Sequence, residues 1–134
     1  MTKRIVFLGG TCAKGTTWRE QLIPELSIDH FNPVVKNWND EAYQNELKHR
    51  EDDDFVLYTI TPYMKGVYSI AEAVDDSNKR PEKTIFCVLE YDGGRKFPKG
   101  VLKGLRRVGM MVEKNGGKYF TRLEQVADYL NNSM

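Results

Sequence analysis

The sequence predicts a single α/β domain, a flavodoxin- or Rossmann-like sandwich. Its five-stranded, mainly parallel sheet has strand order 2-1-3-4-5, with helices on both faces. Three observations predict this. Apolar runs alternate with helix-start signals in the order βαβαβαβαβα, with short connections, and that alternation calls for a parallel sheet joined by right-handed crossovers. The first and third apolar runs, RIVFL (4–8) and FVLYTI (55–60), are β-branched or aromatic and nearly free of polar residues, as strands buried on both faces are. The two loops most marked by glycine and threonine, residues 9–15 and 61–68, leave those two strands. In a 2-1-3-4-5 sheet, strands one and three are neighbours at the switch point, and ligands bind outside their carboxyl ends.

Taken in order, residues 4–8 form the first strand, and Gly9-Gly10 give it a tight exit. Thr17 and Glu20 make a capping box that opens a first helix to about Leu26, with Pro24 kinking or ending it early. FNPVV (31–35) is the second strand, which Pro33 places near an edge or at a strand start. Asn39 caps a polar helix to about Arg50, and the acidic run 51–54 leads into the third strand. Ser69-Ile70-Ala71-Glu72 is a second capping box opening the third helix, and SNKRPEK (77–83) is the loop after it. TIFCVLEY (84–91) is the fourth strand, ended by Asp92-Gly93-Gly94. Residues 98–107 form a helix and GMMVE (109–113) a short fifth strand. Asn115-Gly116-Gly117 signals a turn, with Lys118-Tyr119-Phe120 as a candidate return strand. Thr121 and Glu124 make a third capping box, opening a terminal helix to about Leu130.

Composition narrows the function. A chain of 134 residues makes one domain, 1–134, with room for a real core. The formal net charge of +1 gives no electrostatic case for a nucleic acid polymer or a membrane as partner. The basic stretch KGVLKGLRR (99–107) reads as a solvated helix face. Cys12 and Cys87 form neither a CxxC nor a Cys/His cluster, which predicts reduced thiols and a cytoplasmic protein. His30 and His49 have no metal-ligand spacing, so no metal is expected. The N-terminal apolar run is too short for a signal peptide or a membrane span.

Glu72 is the main candidate for chemistry. It serves either as the return partner of the Ser69 cap or as a carboxylate in the first helical turn, facing the crevice. The helix N-terminus favours the ionised form, which a nucleophile at a sugar carbon requires. Gly9 and Gly10 let the backbone approach a ligand, and N–H groups near Thr11 suit a hydroxyl or phosphate. This loop is neither a P-loop nor a GxGxxG fingerprint. Trp18 either walls a base-binding pocket by stacking or packs the helix on the sheet. Asp54 opens the third strand. Glu46, two helical turns earlier, is placed to reach over the sheet edge towards the crevice. Tyr68 either leans over Glu72 or packs.

With these residues placed, the chain resembles the nucleoside 2-deoxyribosyltransferase family and its phage and bacterial relatives. The likeness runs from RIVFLGG to about Leu89. It rests on a first strand ending in GG, FNPVV-x-x-W, an acidic helix, D-F-V-L-Y-x-I-T-P and the helix start G-V-Y-S-I-A-E. The resemblance implies that Glu72 attacks the anomeric carbon of a nucleoside and expels the base. It implies an acid two turns before Asp54 that protonates or orients the base; Glu46 stands there, where the family residue is usually Asp. The candidate substrate-binding set is Gly9, Gly10, Thr11, Trp18, Asn32, Asp54, Tyr68 and Ser69. Two features depart from the pattern. The helix start Y-S-I-A-E-A-V replaces a frequent G-x-G-x-E-L-G, and the family acid in the preceding loop is missing, with Lys65 and Gly66 in that region. The resemblance further implies no cofactor, a small-molecule nucleoside or nucleotide as partner, and a homo-oligomer. The alternative is a non-catalytic module of the same fold that binds a nucleotide or an ADP-ribose-like ligand.

Overall fold

The computed structural model describes residues 3–133. Its central sheet is parallel throughout and contains β1 (Ile5–Gly10), β2 (Asp29–Phe31), β3 (Phe55–Ile60), β4 (Thr84–Val88) and β7 (Lys118–Phe120), in the order β2-β1-β3-β4-β7. A two-residue hairpin, β5 (Tyr91–Asp92) and β6 (Arg95–Lys96), stands apart from it. The helices are α1 (Trp18–Leu22), α2 (Asp40–Asp52), α3 (Tyr68–Lys79), α4 (Lys99–Lys114) and α5 (Leu123–Asn132). The order expected from sequence is therefore the order found, with β7 in the fifth place.

Strand side chains alternate between two cores, as the period of two requires. Val6, Leu8, Phe55, Leu57, Ile85 and Cys87 point to one face and meet Trp18 and Leu22 of α1 and Val126 and Leu130 of α5. Phe7, Val56, Tyr58, Ile60, Phe86 and Val88 point to the other and meet Ala73 of α3 and Leu102, Leu105 and Val112 of α4. The polar helix α2 joins this second face: its His49 ring stacks on Phe31, centroids 3.6 Å apart, and its Arg50 reaches α3. Burial on both faces explains why β1, β3 and β4 read as continuous apolar runs.

Several sequence expectations need correction. GMMVE (109–113) is not a strand, because α4 runs through it to Lys114. The buried positions Leu102, Leu105, Gly109 and Val112 follow one helical stripe, and Gly109 is where the Tyr119 ring packs against the helix, 2.5 Å from where a Cβ would lie. The second strand is Asp29–Phe31 rather than 31–35. Pro33 has no N–H for the ladder, and the side chain of Asn32 turns the chain by accepting from Val34 N. The fourth strand stops at Val88. Ser77–Lys79 belong to α3, and Pro81–Lys83 form a 3-10 turn. None of the three capping boxes forms as expected. The N-cap of α1 is Thr17 without a side-chain bond, and that of α3 is Val67, so Ser69 lies inside the helix and Glu72 beyond its first turn. At α5 the cap is shifted by one residue: Gln125, not Glu124, reaches back to the N–H groups of Thr121 and Arg122. Asn39 caps α2 as expected, accepting from Ala42 N at 2.8 Å, and α1 ends where Pro24 begins a 3-10 turn. Among the described residues no helix is long and apolar enough to cross a membrane.

Candidate active site

The carboxyl ends of β1 and β3 open into a cavity of about 540 Å³. Three segments wall it: the β1 exit (Gly9 to Ala13), the β2–α2 loop (Pro33, Val34, Val35 and Trp38), and the β3–α3 segment (Met64, Lys65, Gly66, Tyr68 and Ser69). Glu46 from α2, Glu72 from α3, Arg19 from α1 and Ile60 at the end of β3 complete the lining. The volume suits a ligand of nucleoside size.

The β1 exit is fixed by backbone geometry. Gly10 has φ +115, and a Cβ there would fall 2.2 Å from Thr59 O, so no other residue fits. Thr11 N donates to Thr59 O (2.9 Å), and Thr11 Oγ1 accepts from Thr61 N (3.0 Å), tying the ends of β1 and β3 together. Arg19 clamps the same turn. Its guanidinium donates to Leu8 O and Thr11 O at 2.8–3.1 Å, and burial lowers its pKa to about 10, against a small opposing effect of Cys12. The hairpin straps this loop from outside: Thr16 Oγ1 donates to the buried Asp92 carboxylate at 2.6 Å, and the Arg95 guanidinium lies over the Tyr63 ring, 4.2 Å from its centroid.

The opposite wall carries the charge. Glu46, Glu72, Arg50 and Asp76 are all buried. Arg50 grips Asp76 with two hydrogen bonds, Nη2 to Oδ1 at 2.9 Å and Nε to Oδ2 at 3.1 Å. Tyr58 and Arg80 also donate to Asp76. Arg50 Nη1 lies 3.5 Å from Glu72 Oε2, an ion-pair distance without hydrogen-bond geometry, and Oε2 has no hydrogen-bond partner. Burial, then the neighbouring Glu46 carboxyl, push the Glu72 carboxyl up to about 9, while Arg50 opposes them. Burial would by itself lower the Arg50 guanidinium; the bond to Asp76 and the charges around it raise it above its ordinary value. Burial and the Asp76 charge likewise hold the Tyr58 phenol well above its usual range. Asp76 thus meets the guanidiniums of both Arg50 and Arg80, and Glu72 lies beside that of Arg50.

Of the residues singled out from sequence, Gly9, Gly10, Thr11, Tyr68, Ser69, Glu46 and Glu72 line the cavity together. Three do not. Trp18 is fully buried in the core, its Nε1–H donated to Thr11 O at 2.7 Å. Asp54 lies at the opposite end of β3, where it accepts from Ile5 N at 2.8 Å. Asn32 turns the chain beside the cavity wall. The helix-dipole argument for an ionised Glu72 does not hold, because Glu72 lies past the first turn of α3 and burial acts the other way. The sequence reading overlooked Arg50, Asp76, Arg19 and Trp38. Arg50 and Asp76 had a readable signal: Glu46/Arg50 on α2 and Glu72/Asp76 on α3 are each four apart, so each pair shares a helix face. Among the described residues no group of three His, Cys, Asp or Glu side chains is arranged to hold a metal ion.

A family model described as "Nucleoside 2-deoxyribosyltransferase like" matches residues 3–91. That span covers the cavity walls, both carboxyl candidates and the first three helices. No curated protein and no solved structure matches the chain significantly.

Proposed function

The chain belongs to the nucleoside 2-deoxyribosyltransferase-like family, and from that premise we propose that it cleaves the N-glycosidic bond of a nucleoside or nucleotide through a glutamate nucleophile. One observation carries the reading: Glu46 and Glu72, from two helices, are buried side by side in a cavity of nucleoside size at the sheet's switch point. In the proposed reaction the two carboxyls divide the roles of nucleophile and acid. Glu72 as carboxylate attacks C1′ while Glu46 as acid donates its proton to the departing base. The electrons of the C1′–N bond leave with the base, and an ester joins C1′ to Glu72. Attack by water or by a second base, with Glu46 now taking or guiding a proton, releases the product. Two displacements retain configuration at C1′, as in retaining glycosidases.

The apolar, exposed Trp38 and Tyr68 flank the mouth of the cavity and would hold the base by stacking. Incubation with mixed nucleosides and free bases, followed by chromatography, tests the reading. New nucleosides indicate transfer, and free base alone indicates hydrolysis. Binding without turnover is the second reading, favoured by a Glu72 carboxyl that burial raises to about 9. Unchanged nucleosides together with a ligand-induced rise in melting temperature would establish it.

A further inference from the structure

We propose that Arg50 is a positioning residue shared between Asp76 and Glu72, and that Asp76 governs how far its charge is available to ionise Glu72. The proposal rests on the functional reading above and adds a residue and a direction to it. Arg50 comes from α2, one turn beyond Glu46, and crosses to α3, where Glu72 and Asp76 lie one turn apart. Its Nε and Nη2 are spent on Asp76, at 3.1 and 2.9 Å, and Nη2 also meets Asp75 at 3.2 Å. Only Nη1 turns to Glu72, and it stops at 3.5 Å, leaving Oε2 buried and unpartnered. A rigid guanidinium fork satisfied on one carboxylate serves a second one through charge more than through a bond.

The other groups facing Glu72 are few. From α2 come Glu46 and Arg50; from α3, Asp76 and Tyr68; from β3, Tyr58. Arg19 and Lys65 lie elsewhere on the cavity wall. Glu46 and Asp76 raise the Glu72 carboxyl, and Arg50 lowers it. A ligand that engages Glu46 draws that neighbouring acid away from Glu72 and leaves Arg50 as the facing partner of the Glu72 carboxylate. The device therefore readies Glu72 when the cavity fills.

Changes at the two ends of the Arg50–Asp76 pair then act in opposite directions. Arg50→Gln removes the cation and should raise the pH at which Glu72 ionises by about one pH unit. Asp76→Asn removes a repelling charge and releases part of the Arg50 fork, so Glu72 should ionise at lower pH by a similar amount. Arg50→Lys keeps the charge and should restore most of the wild-type value. The experiment is a carbon-13 NMR titration of full-length protein labelled at the glutamate carboxyl carbon, with Glu72→Gln identifying the resonance. It needs no turnover, so it stands apart from the substrate assay. Opposite displacements in Arg50→Gln and Asp76→Asn, with recovery in Arg50→Lys, are expected. Displacements of the same sign, or none in the variants that retain the wild-type circular dichroism spectrum, would overturn the proposal. If Arg50→Gln fails to fold, the signs of Asp76→Asn and Arg50→Lys still decide: a fall with the first and little change with the second supports it, and any other pattern refutes it.

Discussion

Two carboxyl groups on the same face of α3, one helical turn apart, have been given opposite surroundings. Asp76 and Glu72 are both buried, and both lie near Arg50. Asp76 accepts hydrogen bonds from Arg50, Tyr58 and Arg80. Glu72 has an oxygen with no donor at all and a cavity in front of it. A buried carboxylate whose acceptor sites are filled is structural, because its charge is spent on fixed partners. One left under-satisfied beside a second acid and an open cavity is held at a cost to the fold, and such sites are where chemistry is found. Burial and sequence position are nearly the same for the two, so hydrogen-bond satisfaction is what separates them.

The largest expected effect falls on activity at Glu72. Glu72→Gln should lower turnover by more than about 10⁴-fold and leave nucleoside binding intact, measured by chromatographic assay and calorimetry on the same preparation. Glu46→Gln should cost about 10²–10⁴-fold. The loss should be smaller for substrates whose base leaves readily without protonation, and a uniform loss across bases would remove Glu46 from the acid role. Asp76→Ala should do the reverse of Glu72→Gln, lowering stability by about 3–5 kcal/mol because it strands the guanidinium of Arg50 and the Tyr58 hydroxyl. Denaturant unfolding measures this, and a loss below about 1 kcal/mol would erase the distinction between the two residues.

Glu72 should also make stability depend on pH. The folded state holds the Glu72 proton up to about 9, against an ordinary value of 4.5. Folded protein therefore binds more protons than unfolded chain across that window, and stability falls as pH rises through it. Glutamine has no proton to lose. Glu72→Gln should match wild type in unfolding free energy near pH 4.5 and be progressively more stable above it, by an amount on the order of a few kcal/mol at neutral pH. A gap that is constant with pH would show that burial does not hold the proton. The smallest effect is expected at Trp38, which touches neither carboxyl. Trp38→Ala should raise KM about tenfold by loss of base stacking, with kcat and melting temperature unchanged; a fall in kcat instead would place Trp38 in the catalytic machinery.

The sheet order was legible because β1, β3 and β4 are buried on both faces and their loops carry glycine and threonine. The same loops pointed to the cavity; Glu72 was singled out from its place near a helix start beside that crevice and Glu46 from its position two turns before Asp54, and both line the cavity. What was not legible depended on contacts between helices. The four-residue spacing puts Arg50 on the helix face of Glu46 and Asp76 on that of Glu72, but only the packing of α2 against α3 shows that the two faces meet. Trp18, which the sequence left open between a pocket wall and packing, turns inward to bond Thr11 O, whereas Trp38, the tryptophan of FNPVV-x-x-W, stands exposed at the cavity wall. GMMVE was misread because a short apolar run fits a strand or a buried helix turn equally well. The stripe from Leu102 to Val112 settles it only when the helix is read as one piece.

The central claim is that Glu72 forms a bond to the sugar. Protein mixed with a deoxynucleoside, quenched in acid within a turnover and digested, can be weighed by mass spectrometry. A deoxyribosyl mass on the peptide containing Glu72, absent from Glu72→Gln and lost when a free base is added before the quench, is the expected result. Undiminished turnover by Glu72→Gln, or a sugar adduct on any other residue, would contradict the account.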